Sequence, residues 1–291
     1  GPHTAVGYQS GLDITTAVQG TYVGYQAGYN LTTGNNNVAI GYGSLANATT
    51  GTPNVAVGTS ALSNCNGVEN NGVGTSAMLS LTTGNYNTAL GSGAGYYIST
   101  GSYNVSVGRA ANQLTTTGSF NICIGASARP SVATGEAQTV IGYNVAGAGF
   151  NTFAFGSGST VTSVGFGSTN WSGTSDERLK EDIKDEVVGL GFINELRPVT
   201  FQWKKAKDVP EELNLHEDSD ERVMDGNHNH GFLAQEVKTA IDKYSDIKDG
   251  CELWSKSDVD GMEKVSPTAL IPMLVKAIQE LSAEVEKLKG E

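Results

Sequence analysis

The feature that most constrains this chain is a short strand pattern, closed by glycine, that recurs about every seventeen residues. It reads TAVG (4–7), TYVG (21–24), VAIG (38–41), VAVG (55–58), NGVG (71–74), TALG (88–91), VSVG (105–108), ICIG (122–125) and TVIG (139–142). The closing glycines are 17 apart, with one step of 16. Gly34, Gly51, Gly67, Gly84, Gly101, Gly118 and Gly135 each precede the next closing glycine by seven residues. A fixed period of this length marks a stacked architecture, because one rung cannot bury its own apolar stripe but a column of rungs can. Segments such as TTGNNN (32–37) and TTGNYN (82–87) carry Gly and Asn, which supply positive φ at tight turns.

Strand alternation puts Val38 and Ile40 on one face and Ala39 on the other, and Val55/Val57 and Val105/Val107 repeat the arrangement. The expectation is a mainly β repeat, a β-roll or β-helix, with the Val and Ile stripe inside. Leu45, Leu62 and Met78 should fill a second inward position. The repeat weakens after Gly142, where Phe150, Phe153, Phe155, Phe166 and Trp171 are expected to cap the stack.

Charge divides the chain. Residues 1–174 hold Asp13, Glu69, Arg109, Arg129 and Glu136, and the other 43 of 48 charged residues lie in 175–291. Glycine runs the opposite way, with 31 of 38 before Ser175. One globular core would not produce such a step, so two domains are expected, 1–174 and 175–291. Gly1-Pro2 reads as a protease scar, which implies a natural chain that continues upstream. The net charge of −12 argues against nucleic-acid binding, which needs clustered Lys and Arg. No stretch approaches the 18 apolar residues of a membrane span. Cys65, Cys123 and Cys251 are odd in number and widely spaced, which fits neither a disulfide framework nor a zinc knuckle. The three carboxylates of the repeat are dispersed, which makes a glycosidase site there improbable.

The second half reads as an α+β domain. Leu179, Ile183 and Val187 follow helical spacing behind a Ser175 or Asp176 cap, giving a helix to about Gly189. A strand follows at 199–203, an acidic loop at 208–226, and a helix from near Phe232. A last helix runs from about Ser266-Pro267 to Lys289. It carries a heptad seam of Ile271, Leu274, Ile278, Leu281, Val285 and Leu288, the stripe of a helix with partner helices. His228 and His230, with His216 and Asp225, are read as an exposed loop rather than a metal site. Asp258-Val259-Asp260-Gly261 starts like a calcium loop but lacks the later ligands. No cofactor is expected.

The nine rungs resemble the head repeats of trimeric autotransporter adhesins, N-x-V-A-I-G-x-x-S, which implies a three-chain β-roll; a single-chain solenoid is the alternative. Residues 175–291 resemble the endosialidase-type intramolecular chaperones found at the ends of phage tailspikes and tail fibres. Three motifs carry this: SDERLKEDI (175–183), GFLAQEV (231–237) and the run Leu270–Leu281 ending AIQEL (277–281). The resemblance implies a homotrimer assembled in the host cytoplasm and carried on the virion, whose C-terminal domain guides fibre folding and then cuts itself off. The implied cut is Thr174–Ser175, with Ser175 as nucleophile and Lys180 as base. A lysine serves as base only when its pKa falls from about 10.4 toward about 7–8. Residues five apart on a helix diverge by about 140°, so Ser175 must precede the first turn or Lys180 must serve a neighbouring chain. His230, Gln235 and Glu236 are candidate lining residues. The shaft is a candidate binder of a host surface glycan. The alternative function is a structural adhesin with a trimerisation domain that never cleaves.

Overall fold

A computed structural model of the chain describes residues 2–168, 172–173, 175, 177–224, 226–248 and 251–290. Two compact units emerge, Gly1–Leu179 and Lys180–Glu291.

The first unit is a β-solenoid. Strands β1 (Thr4–Val6), β2 (Thr21–Val23), β3 (Val38–Ile40), β4 (Val55–Val57), β5 (Asn71–Val73), β6 (Thr88–Leu90), β7 (Val105–Val107), β8 (Ile122–Ile124) and β9 (Thr139–Tyr143) stack in sequence order. All eight pairings are parallel, and equivalent residues sit in register. The stack ends in β10 (Thr152–Ser157), parallel to β9, then β11 (Thr160–Gly165) and β12 (Ser172–Gly173), both antiparallel.

The repeat is as expected, but its faces are inverted. The buried strand residue is the small middle one: Ala39, Ala56, Gly72, Ala89, Ser106, Cys123. Val and Ile at the flanking positions point outward, and Ile40, Leu90 and Ile124 are exposed. The cause is interior width. Each rung sends in other residues as well, including Leu45, Leu62 and Met78 as expected, and Leu31, Leu81 and Ile98 three residues beyond that column. Little room remains opposite the strand. Tyr22, the one large residue at the middle position, sits against glycines, and a Cβ on Gly28 would lie 2.6 Å from its ring. Leu45, Leu62 and Met78 reach inward from a left-handed backbone, φ 48 to 49°.

A second inward element is an amide ladder. Asn37, Asn54, Asn70, Asn87, Asn104, Asn121 and Gln138 are buried in one column. Each Asn Oδ1 accepts the backbone N–H of the next member at 2.8–3.2 Å. Each Asn Nδ2 donates to a turn-glycine carbonyl, from Gly51 to Gly135, at 2.7–2.9 Å. The asparagines thus satisfy backbone groups that a dry interior would otherwise orphan.

The short rung has its own repair. Where other rungs carry Leu-Thr-Thr-Gly or Ala-Thr-Thr-Gly, this one carries Cys65-Asn66-Gly67. Elsewhere the Thr49 carbonyl accepts the N–H groups of Thr32 and Thr33. At the shortened turn Asn66 Oδ1 takes that place, accepting the N–H groups of Thr49 and Thr50 at 2.7 and 3.1 Å.

The aromatic cap does not form as expected. Phe153, Ala154 and Phe155 pair with Thr139, Val140 and Ile141, so Ala154 takes the inward position and the phenylalanines flank it. Phe150, Phe155 and Phe166 are exposed. Trp171 lies outside the described residues.

The second unit contains α1 (Leu190–Glu195), β13 (Val199–Phe201), β14 (Asn229–Gly231), α2 (Ala234–Ile241), β15 (Trp254–Lys256), β16 (Glu263–Val265) and α3 (Ile271–Gly290), the last entered through a 3-10 turn at Pro267–Leu270. Its core gathers Val188, Phe192, Val237, Ala240, Ile241, Leu253, Leu270 and Met273. Among the described residues, the helix expected from Ser175 to Gly189 is absent. A 3-10 turn spans Glu177–Leu179, Asp182 has φ +53°, and α1 starts only at Leu190. Leu179, Ile183 and Val187 are all more than 60% exposed, so no packed face supports a helix there. The Asp258–Gly261 segment is the connection of the β15–β16 hairpin, with Asp260 Oδ1 accepting the Met262 N–H at 3.1 Å.

Candidate functional site

The chemistry implied by the resemblance centres on a few residues around Ser175. Strand β12 ends at Gly173, held by pairing of Gly173 with Thr162 and of Ser172 with Ser163. Thr174, the expected donor of the scissile carbonyl, and Asp176 lie outside the described residues. Ser175 is exposed and precedes the Glu177–Leu179 turn. Lys180 is also exposed and opens the second unit, whereas Ser175 belongs to the first.

The second motif runs from the end of β14 into α2. Gly231 closes β14, where His230 pairs with Thr200 of β13 and is exposed. Phe232 packs on the core, and Val237 enters it from α2. Gln235 is exposed, and its carbonyl accepts the Thr239 hydroxyl at 2.9 Å. Glu236 accepts two hydrogen bonds from Arg197, Nε at 3.0 Å and Nη2 at 2.5 Å. That forked bond lowers the Glu236 pKa below the usual carboxylate value and raises that of Arg197. Glu236 therefore ties α2 to the segment ahead of β13, a partnership that its motif alone did not reveal.

The third motif forms α3, which has two working faces. One carries Met273 and Ala277 into the unit's own core. From the same region Glu280 accepts the Leu190 N–H at 2.8 Å, capping α1, whose N-cap Gly189 has no side chain to do so. The other face is the heptad seam, and all six of its residues, Ile271, Leu274, Ile278, Leu281, Val285 and Leu288, are exposed. The six residues repeat at the 3.5-residue spacing of a coiled-coil seam.

Among the described residues, no group of three His, Cys, Asp or Glu side chains could hold a metal ion; Asp225 lies outside them. His216 Nδ1 is instead 2.6 Å from the Val209 carbonyl. No helix among the described residues is long and apolar enough to cross a membrane. Cys65 and Cys123 are buried in the solenoid, and desolvation pushes their thiols up to about 11 and about 12, which keeps both protonated near neutral pH.

Residues 175–245 match the family described as the chaperone of endosialidase. No curated protein and no solved structure matches the chain.

Proposed function

We propose that this chain is the end of a viral tail fibre or tailspike, in which residues 175–291 trimerise, guide folding of the solenoid shaft, and then release themselves by autoproteolysis at Thr174–Ser175. The observation that carries this reading is the start of the family match. It begins at Ser175, the residue where an almost uncharged, glycine-rich sequence gives way to a charged one. The exposed seam of α3 supports the trimer, since it is a complete coiled-coil face with no helix of its own chain upon it.

In this reading the Ser175 hydroxyl attacks the Thr174 carbonyl carbon. The C–N bond breaks as an ester to Ser175 Oγ forms, and Lys180 carries the hydroxyl proton to the departing amine. Water then hydrolyses the ester, leaving a Thr174 carboxylate and a chaperone fragment that begins with Ser175. Because the shaft loses its template, it cannot refold once disrupted and is trapped kinetically. Assembly takes place in the host cytoplasm, and the shaft goes on the virion for host attachment.

The test is a denaturing gel of wild-type protein beside Ser175→Ala and Lys180→Ala. Wild type should separate into pieces of 174 and 117 residues, and both variants should remain whole. Wild-type protein that stays uncut while assembled three-fold contradicts the autoprotease and favours a structural adhesin.

A further inference from the structure

The chain contains two Asn-Gly pairs, Asn66-Gly67 and Asn71-Gly72. Asparagine before glycine is open to attack by its own backbone. The Gly nitrogen has no adjoining side chain to obstruct its approach to the Asn Cγ, and the ring it closes forms within one chain.

The fold treats the two pairs differently. Gly72 is the buried centre of β5, in register with Ala56 on one side and Ala89 on the other. A strand paired along both edges holds that peptide extended and fixed. Gly67 lies instead in the turn of the short rung, and its N–H makes no hydrogen bond among the described residues. Gly67 is buried, but Asn66, whose amide is the group that would leave, is exposed. All four hydrogen bonds of the Asn66 side chain run to Oδ1, so none holds Nδ2 in place.

Those four bonds set Asn66 apart. The N–H groups of Thr49 and Thr50 approach Oδ1 at 2.7 and 3.1 Å, and the two threonine hydroxyls at 3.1 and 3.5 Å. Asn35 and Asn85 each accept one backbone N–H, from Val18 and Val68, and neither precedes a glycine. Donors grouped on a carbonyl oxygen stabilise the negative charge that gathers there when the carbonyl carbon is attacked.

We propose that Asn66 is a self-modification site, at which the turn of the short rung promotes deamidation. Gly67 N gives its proton to solvent and bonds to Asn66 Cγ, while Thr49 and Thr50 hold the charge developing on Oδ1. Collapse breaks the Cγ–Nδ2 bond, and Nδ2 takes up a proton and leaves as ammonia. The resulting succinimide is opened by water at either carbonyl. Breaking the bond from Gly67 N to Cγ gives aspartate, and breaking the bond to the main-chain carbonyl carbon gives isoaspartate. In sum, asparagine and water become aspartate or isoaspartate and ammonia, with no change of oxidation state. Aspartate keeps the acceptor of the turn and adds charge to its bonds. Isoaspartate adds one carbon to the main chain in the rung that is one residue short. The reaction needs neither the trimer nor Ser175, so it goes beyond the proposed function.

The test follows ammonia loss in the full-length chain near neutral pH by peptide mass spectrometry. Cleavage after Glu69 places the two Asn-Gly pairs in separate peptides. In chain held unfolded by denaturant, both pairs should react at similar rates. In folded protein, Asn66 should react at least as fast as in the unfolded chain, and about tenfold or more faster than Asn71. Thr49→Val removes one hydroxyl donor and should slow Asn66 about threefold or more, whereas Thr49→Ser should match wild type. Folded protein that keeps Asn66 while the unfolded chain loses it, or that loses Asn71 as quickly, overturns the proposal. A folded Thr49→Val chain that reacts at the wild-type rate overturns it too. Should circular dichroism show Thr49→Val unfolded, the folded-against-unfolded comparison in wild type decides alone.

Discussion

Asn87→Ala tests whether the amide ladder stabilises the solenoid interior. Asn87 Oδ1 accepts the Asn104 N–H at 3.0 Å, and Asn87 Nδ2 donates to the Gly101 carbonyl at 2.9 Å. Both are backbone groups facing a dry core, whereas the Asn104 side chain keeps its bond to the Gly118 carbonyl. Truncation therefore orphans one donor and one acceptor. At about 1–3 kcal/mol for each buried unsatisfied group, the cost is about 2–6 kcal/mol. Thr88→Ala, one residue on and facing outward, should fall within about 0.5 kcal/mol of wild type. Denaturant unfolding of the two variants in the Ser175→Ala background measures the difference. Amide exchange at Asn104 should accelerate about 30-fold or more in the alanine variant. If Asn87→Ala costs no more than Thr88→Ala, the ladder is not what satisfies the shaft interior.

Asn66→Ala should destabilise the shaft by about 1–3 kcal/mol in the same assay, because it strips the acceptor from Thr49 and Thr50. Replacing Asn66 by Thr-Thr, which restores the standard turn, should recover most of that loss. Glu280→Ala should cost about 0.5–2 kcal/mol in the second unit by removing the cap of α1. Gly189→Ala should act alike, because its Cβ would lie 2.5 Å from Glu280 Oε2; retained stability in both refutes the capping contact. At pH 8 iodoacetamide should modify the half-buried Cys251 far faster than Cys65 or Cys123, whose raised thiol pKa values keep them protonated, and mass spectrometry of the folded protein reads this directly.

Much of this fold is legible in the sequence, but not its polarity. Period and turn offsets locate all nine rungs because each closing glycine meets the next rung's backbone; a Cβ on Gly41 would lie 2.7 Å from Gly58. Alternation cannot say which face is inside, and the larger, more apolar stripe was the natural but wrong choice. Interior width decided it, and width depends on Leu31, Leu81 and the asparagines, which sit in turns by sequence and in the core by structure. By sequence the asparagines look like turn formers; their fixed place before each strand is the signal of a ladder. In the second unit, α2 and α3 follow from clear apolar spacing. The same spacing misled at Leu179–Val187, where the apolar residues have nothing to pack against. Helix α1 was missed because its cap comes from Glu280, ninety residues away. The seam of α3 was readable residue by residue. Ser175 and Lys180 owe their proposed roles to a resemblance in motif, whereas the Arg197–Glu236 pair emerges only from the fold.

Intact-mass spectrometry of freshly synthesised protein, with sequencing of any new amino terminus, tests the central claim most directly. The account predicts a fragment of 117 residues beginning Ser175-Asp176-Glu177, absent from Ser175→Ala. A cut at any other bond, or an equal yield of that fragment from Ser175→Ala, contradicts it.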